Sequence, residues 1–385
     1  MRPLAAALAA AATATATASS FLAGTCAAFG GAPLPSLAAG RGGGALGSAA
    51  ATAATSATAA SNPLADFDYL KEDTLPWMED GYQTWEHAGN KINYLEMGDP
   101  SNPALLLIHG FGASAYHWRR NVPNLARDHH VFAIDMLGFG LSDKPVQDYT
   151  AEVWRDQALA FVEEVIGKRT AVAGNSLGGF TALYAAADSA AQAREEGGGK
   201  DLIAGCVLLN GAGRFRDPDA APEPREEDKN AVLEGIKTAL QRLVIAGSFY
   251  YTKRPARIEQ VLRQVYPVNP SMVDDDLVES IRVPSLDPNA AEVFYRVIVK
   301  NGSGPQVCID DLLERMDGKP LMLAWGESDP WIRSEAADRI QGLYPTSVRR
   351  SIDAGHCPQD EAPELINPLL MEFVEDYRAS TPGAP

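Results

Sequence analysis

Before Asp66 the sequence has no carboxylate, and its first 60 residues carry only Arg2 and Arg41 as charges among 25 alanines. A stretch so poor in charge and in large apolar side chains cannot bury enough surface to offset the backbone entropy lost on ordering, which excludes a packed domain there. Residues 1–62 are therefore expected to be a disordered targeting presequence, and composition leaves two addresses open. Acid-free, hydroxyl-rich sequence is that of an organelle transit peptide, whereas Arg2 followed by residues 4–28 has the charged start, weakly apolar middle and small-residue end of a secretory signal. Also missing is any run of about 18 strongly apolar residues, which excludes a membrane-spanning helix. Cysteine is scarce: Cys26 falls in the presequence, and Cys206, Cys308 and Cys357 form an odd set without metal-ligand spacing. Neither a disulfide framework nor a metal site is expected, and Cys206, in an apolar run, reads as a buried thiol. Basic residues are outnumbered 33 to 50, a net charge of −17 that becomes −19 once the two presequence arginines leave. So acidic a chain argues against electrostatic binding of nucleic acid or of anionic membrane headgroups. An apolar or neutral small molecule remains open as its partner.

From Trp85 onward, short apolar runs alternate with longer helical stretches. Asn90–Met97 reads as a strand entered through a Gly89-Asn90 turn; Ala104–Ile108, 131–134, 170–173, Ile203–Leu209, 321–325 and 347–352 read as further strands. Continuous apolar runs mean strands covered on both faces, and helices between them mean a mostly parallel, doubly wound α/β sheet. Residues 154–165 supply one such helix, with Trp154, Ala158, Phe161, Val162 and Val165 on one side. Residues 197–199, a run of glycine, read as a surface insertion. Between Asn210 and Lys319 the alternation stops: a Pro- and charge-rich loop, residues 214–230, is followed by amphipathic helical segments too apolar to be disordered. The expected organisation is a core of residues 63–212 and 317–380 carrying a helical cap, residues 213–316, over the carboxyl ends of the strands.

Chemistry gathers at those strand ends. Gly174, Asn175, Ser176, Leu177, Gly178 and Gly179 follow an apolar run and open a helix, so one serine stands at a sharp strand-to-helix turn. The flanking glycines let strand and helix approach closely while the turn lifts Oγ clear of its own backbone. A hydroxyl nucleophile needs a base and a group to orient it. Asp329 follows the 321–325 strand in Gly-Glu-Ser-Asp-Pro-Trp, and His356 follows the 347–352 strand in Asp-Ala-Gly-His-Cys-Pro. In this reading His356 takes the Ser176 proton and Asp329 holds the imidazole. His109, Gly110, Phe111 and Gly112 follow the Ala104–Ile108 strand, where backbone N–H groups can face a substrate carbonyl; Phe111 and Leu177 are the candidate oxyanion donors. His109 is expected to order that loop, and His117, His129 and His130 read as loop or surface residues. Serine at the elbow, in place of a carboxylate, points to acyl carbon and ester hydrolysis, with no cofactor required.

The order nucleophile, acid, histidine is that of the α/β-hydrolase fold. Residues 85–377 resemble the plant and algal plastid α/β-hydrolases that include pheophytinase, which removes phytol from pheophytin. The likeness rests on His117-Trp118-Arg119 with Asn121-Val122-Pro123, the runs 137–144 and 174–183, Ser285-Leu286-Asp287-Pro288-Asn289-Ala290 with Phe294-Tyr295-Arg296, Trp325-Gly326 with Asp329-Pro330-Trp331, and Ala354-Gly355-His356-Cys357-Pro358 with Asp360-Glu361. Gln359 departs from the pheophytinase pattern, which bears on the substrate and not on the chemistry. The resemblance implies a Ser176, Asp329, His356 triad and the phytyl ester of pheophytin or a related chlorophyll derivative as substrate. Residues 27–33 also resemble the Ala-Phe junction of two-part plastid leaders in algae, which favours a plastid address over the secretory pathway and leaves peripheral contact with plastid membranes open. For a long isoprenoid chain the expected pocket residues are Phe249, Tyr250, Leu262, Tyr266 and Trp331, since such a chain is bound by apolar area. Two other readings keep the fold: an esterase or lipase on another acyl lipid or small ester, and a sensor with a slow triad.

Overall fold

The computed structural model describes residues 62–64, 66–195, 200–216, 242, 244–300, 307–316 and 318–379. Within them the strands are β1 (Gln83–His87), β2 (Asn90–Met97), β3 (Ala104–Ile108), β4 (His130–Ile134), β5 (Thr170–Asn175), β6 (Ile203–Leu209), β7 (Leu321–Gly326) and β8 (Val348–Ile352). They form one sheet in the order β1-β2-β4-β3-β5-β6-β7-β8, antiparallel through β1, β2 and β4 and parallel from β4 to β8. Strands β3, β5, β6 and β7 are buried along their whole length, as continuous apolar runs require. At the edge, β8 buries only Ile352 and carries the half-buried, ion-paired Arg349 and Arg350, charges that discourage pairing with another chain.

Strand β1 has no clear apolar signal and is defined by its partner. Gln83 to His87 pair with Tyr94 to Asn90, so the two-residue loop is Ala88-Gly89 rather than the expected Gly89-Asn90. Both loop residues have positive φ, 49° and 75°, the backbone of the tight hairpin turn that matches strand twist.

Alternate residues of the central strands feed two cores. Leu106, Ile108, Val172, Leu208, Leu323 and Trp325 meet the helices Ala151–Phe161 and Leu177–Arg194, while Leu105, Leu107, Ala173, Val207, Leu209 and Ala324 face the helix Pro363–Ala379. The expected 154–165 helix starts earlier and ends in a wider π turn, Val162–Ile166, so Val165 is only half-buried beside the buried Trp154, Ala158, Phe161 and Val162.

Between β6 and β7 lie a helical run over residues 244–252, followed by the helices Pro255–Val265, Asp275–Arg282, Ala290–Lys300 and Ile309–Arg315. Pro255–Val265 and Asp275–Arg282 build a small core of their own from Ile258, Leu262, Val265, Tyr266, Leu277 and Val278, joined to the main body at Cys357. Ile309–Arg315 instead packs on Leu177–Arg194, so the end of this interval belongs to the layer covering the sheet. Residues 1–61, the Gly197–Gly199 insertion and residues 217–241 of the expected cap lie outside the described residues. Among the described residues no helix is long and apolar enough to cross a membrane. Cys206, Cys308 and Cys357 form no disulfide with one another, and burial pushes the Cys206 thiol up to about 12.

Candidate active site

Ser176 sits between β5 and the helix Leu177–Arg194 with φ 53° and ψ −117°, a backbone that side-chain-bearing residues rarely adopt. Such strain costs on the order of 1–3 kcal/mol and persists only where the surroundings enforce it. Here the Ser176 N–H donates to the Leu209 carbonyl at 3.0 Å, and its carbonyl accepts from Phe180 and Ala212 at 3.1 and 2.9 Å. Glycines make the turn sterically feasible: a Cβ on Gly174 would lie 2.1 Å from the Gly178 carbonyl oxygen, and one on Gly178 would lie 2.3 Å from that of Ile108.

His356 follows β8 and Asp329 follows β7. The His356 Nδ1–H donates to Asp329 Oδ2 at 2.7 Å; since a carboxylate only accepts, the Nε2 lone pair is left for another partner. Asp329 Oδ2 also accepts from Asn210 Nδ2 at 2.8 Å, and Oδ1 accepts from the Trp331 N–H at 2.7 Å. The main chain of His356 is held twice, its carbonyl accepting from Asn175 Nδ2 at 2.8 Å and its N–H donating to the Val265 carbonyl at 3.0 Å. Elbow and helical excursion thus both grip the histidine loop. Glu361 reinforces the seam by accepting from the Gly355 N–H on one side and from Val268 and Asn269 on the other.

Ser176 and His356 both line a cavity of about 200 Å³. Its floor is Gly110, Phe111 and Gly112 after β3, and its roof comes from the region between β6 and β7, including Phe249, Leu262, Val293 and Phe294. Aromatic contacts connect floor to roof: Phe111 meets Phe139 and Phe294 at centroid distances of 5.5 and 5.7 Å, and Phe294 meets Phe249 at 5.3 Å. Among the described residues the Phe111 N–H meets no backbone acceptor. Leu177 opens its helix, where an N–H has no intrahelical acceptor, although its side chain is buried away from the cavity. Such an arrangement can place a hydroxyl, an imidazole and backbone donors around one carbonyl group.

A family model described as the alpha/beta hydrolase fold matches residues 103–363. The chain belongs to the α/β-hydrolase fold family. Among relatives of this α/β-hydrolase, "Pheophytinase, chloroplastic" of Arabidopsis thaliana is 30% identical over 311 residues, covering 71% of this chain and 61% of its own length. This chain therefore spans less than two thirds of that relative. "Uncharacterized hydrolase YugF" of Bacillus subtilis is 24% identical, covering 74% of this chain and 95% of its own. A solved bacterial membrane phospholipase A superposes with a TM-score of 0.58 at 25% identity, covering 77% of this chain and 86% of that one.

Of the pocket residues expected for this α/β-hydrolase, Phe249, Leu262 and Trp331 line the cavity, and the Trp331 ring lies 4.9 Å from that of His356. Tyr250 and Tyr266 do not. Tyr250 points outward, 56% exposed, because Phe249 fills the inward position of its helix. Tyr266 is fully buried behind the wall, where its hydroxyl donates to Asp360 Oδ2 at 2.9 Å. Of His117, His129 and His130, expected at loops or the surface, His129 lies in a loop while His117 is in a short helical turn and His130 on β4; all three are buried, each meeting one partner: Tyr266, the Leu125 carbonyl and Glu96. Burial lowers the His117 imidazole to about 4 and keeps it neutral in the cavity wall. His109 donates from Nδ1 to the Gly110 carbonyl at 2.7 Å and accepts the Met136 N–H at Nε2, which ties the loop after β3 to β4.

Two residues of the site carry almost no local signal in the sequence. Asn210, with φ 45°, anchors Asp329 from the end of β6; its only local signal is an Asn-Gly pair closing an apolar run. Arg119 is wholly enclosed, donating to Asp360 at 2.9 Å, to Asp274 at 2.6 Å and to the Met272 carbonyl at 2.8 Å, and nothing in a surface-like His-Trp-Arg-Arg run announces it.

Proposed function

We propose that this chain is a serine hydrolase that cleaves a carboxylic ester through an acyl-enzyme, with Ser176 as nucleophile, His356 as general base and acid, and Asp329 holding the imidazole. The observation that carries the reading is the opening of Ser176 and of His356, whose Nδ1 is held by Asp329 behind it, onto one apolar cavity. As Ser176 Oγ attacks the carbonyl carbon, its proton passes to His356 Nε2, and the imidazolium is stabilised by Asp329. The oxyanion is met by the N–H groups of Phe111 and Leu177, each such donor contributing about 3 kcal/mol in comparable sites. Collapse of the intermediate expels the alcohol, protonated by His356, and a water activated by the same imidazole releases the acid. No cofactor enters these steps.

The substrate we propose is the phytyl ester of pheophytin or a related chlorophyll derivative, acted on in a plastid. The pheophytinase relative supports this choice, as does a cavity wall dominated by apolar side chains. Incubation of the chain with pheophytin should release free phytol, and Ser176→Ala should abolish the release. Turnover retained by Ser176→Ala would remove the nucleophile assignment. Hydrolysis of short-chain esters with none of pheophytin would move the substrate to a smaller acyl ester.

A further inference from the structure

In a chain of net charge −17, one surface segment runs the other way. Residues 244–268 carry four basic residues, Lys253, Arg254, Arg257 and Arg263, against a single acid, Glu259. Glu259 is occupied by Arg263, its neighbour one helical turn on, at 2.9 Å. Among the described residues neither Lys253 nor Arg254 meets a carboxylate. Both lie over aromatic rings instead: Lys253 Nζ is 4.6 Å from the Tyr250 centroid, and the Arg254 and Arg257 guanidinium groups are each 5.6 Å from that of Tyr251. Tyr250 and Tyr251 are themselves 56% and 40% exposed, with Val244 exposed on the same helix.

This patch borders the cavity. Phe249, Thr252 and Lys253, which bracket the two tyrosines, line it, and so do Pro284 and Ser285, beside the exposed Leu286. Cations stacked on tyrosine rings at a surface, next to exposed aliphatic groups, suit a water–lipid boundary: the ring sits at headgroup depth and the cation meets a phosphate. Net charge does not decide the matter, because at physiological ionic strength charges beyond about 8 Å are screened and only the local patch is felt. The acidic composition of the whole chain therefore does not by itself set how this face meets an anionic headgroup.

We propose that the surface around Tyr250, Tyr251, Lys253 and Arg254 docks the protein onto a bilayer bearing anionic lipid, placing the cavity mouth against the membrane. The inference rests on the ester-hydrolase reading only for its purpose, delivery of an apolar ester from the lipid phase. Its charge and geometry stand without that reading.

The test is flotation of the full chain with vesicles of phosphatidylcholine alone and of phosphatidylcholine mixed with an equal amount of phosphatidylglycerol. Partition should be at least about tenfold stronger on the mixed vesicles and fall as salt is added, since each basic residue at such a surface contributes about fivefold. Arg254→Glu should lower it by about tenfold or more, and Tyr251→Ser should weaken it as well, with melting temperature and circular dichroism unchanged in both. Ser176→Ala should bind as the parent does, which separates failure of docking from failure of the proposed chemistry. Equal partition onto both vesicles, or partition unchanged in Arg254→Glu and Tyr251→Ser, overturns the proposal. Retention on immobilised polyglutamate without vesicle binding also overturns it and assigns the patch to an acidic polypeptide.

Discussion

Asn210 and Asp329, 119 residues apart in sequence, are joined by a 2.8 Å hydrogen bond from Nδ2 to Oδ2. The same amide accepts the Gly326 N–H at 2.8 Å and donates to its carbonyl at 3.1 Å, so one side chain locks the end of β7 to the end of β6. The carboxylate beside His356 is thereby oriented from a strand other than its own. Orientation of this kind acts on the reacting geometry rather than on substrate affinity. Asn210→Ala should reduce kcat by about 10- to 100-fold and leave KM nearly unchanged, as steady-state kinetics on a soluble ester would show. A raised KM with kcat intact would instead make Asn210 part of substrate binding.

Two glycines should respond oppositely to alanine. A Cβ on Gly178 would sit 2.3 and 2.4 Å from the Ile108 and His109 carbonyl oxygens, which are backbone and cannot move aside. Gly178→Ala should destabilise the fold by about 3 kcal/mol or more. Gly342, inside the helix Glu335–Leu343, has no positive φ, and a methyl added there would meet nothing within 4 Å. Gly342→Ala should stabilise by about 0.5–1 kcal/mol. Chemical denaturation of the two variants measures both signs.

Arg119 and Asp360 form an ion pair with no exposure on either side chain. Removing one partner strands the other charge in the interior, whereas removing both removes the desolvation problem as well. Arg119→Met alone should cost about 3–5 kcal/mol, and Arg119→Met combined with Asp360→Leu should recover much of that loss. A double variant as unstable as the single one would show that the remaining bonds of Arg119, to Asp274 and the Met272 carbonyl, dominate.

The buried imidazole of His117 makes stability depend on pH. Burial is the main cause of its lowering from 6.5 to about 4, Arg119 adding to the effect and Asp360 opposing it. Between these values the unfolded chain holds the proton and the folded chain does not, so stability falls as pH drops from about 6.5 toward 4 and is unaffected above. The contribution at neutral pH is about 3 kcal/mol at most. Melting temperatures from pH 7 to pH 5 should decline less steeply in His117→Asn than in the parent. Parallel curves would mean that other groups, His109 among them, carry the slope.

Parts of the fold and of the candidate site could be read from sequence wherever short-range sterics decide them. A serine between small residues at the end of an apolar run leaves few backbones other than a sharp turn, and fully covered strands must be continuously apolar. Strand β1 is not legible in its own residues because its pairing with β2, and not its composition, makes it a strand. Tyr250 and Tyr266 were indistinguishable as aromatic residues of an apolar segment. One faces solvent and the other is sealed under Asp360, since helix phase and packing set direction.

By itself the sequence determined the alternation of elements, the elbow at Ser176 and the placing of Asp329 and His356 at strand ends, all consequences of local backbone preference and apolar periodicity. Tertiary structure alone decided that Asn210 reaches Asp329, that Arg119 and His117 lie inside, and that Tyr266 is sealed under Asp360. Those relations join residues far apart in the chain, and whether a charge is stabilised or stranded depends on which partners the folded chain brings within hydrogen-bond reach.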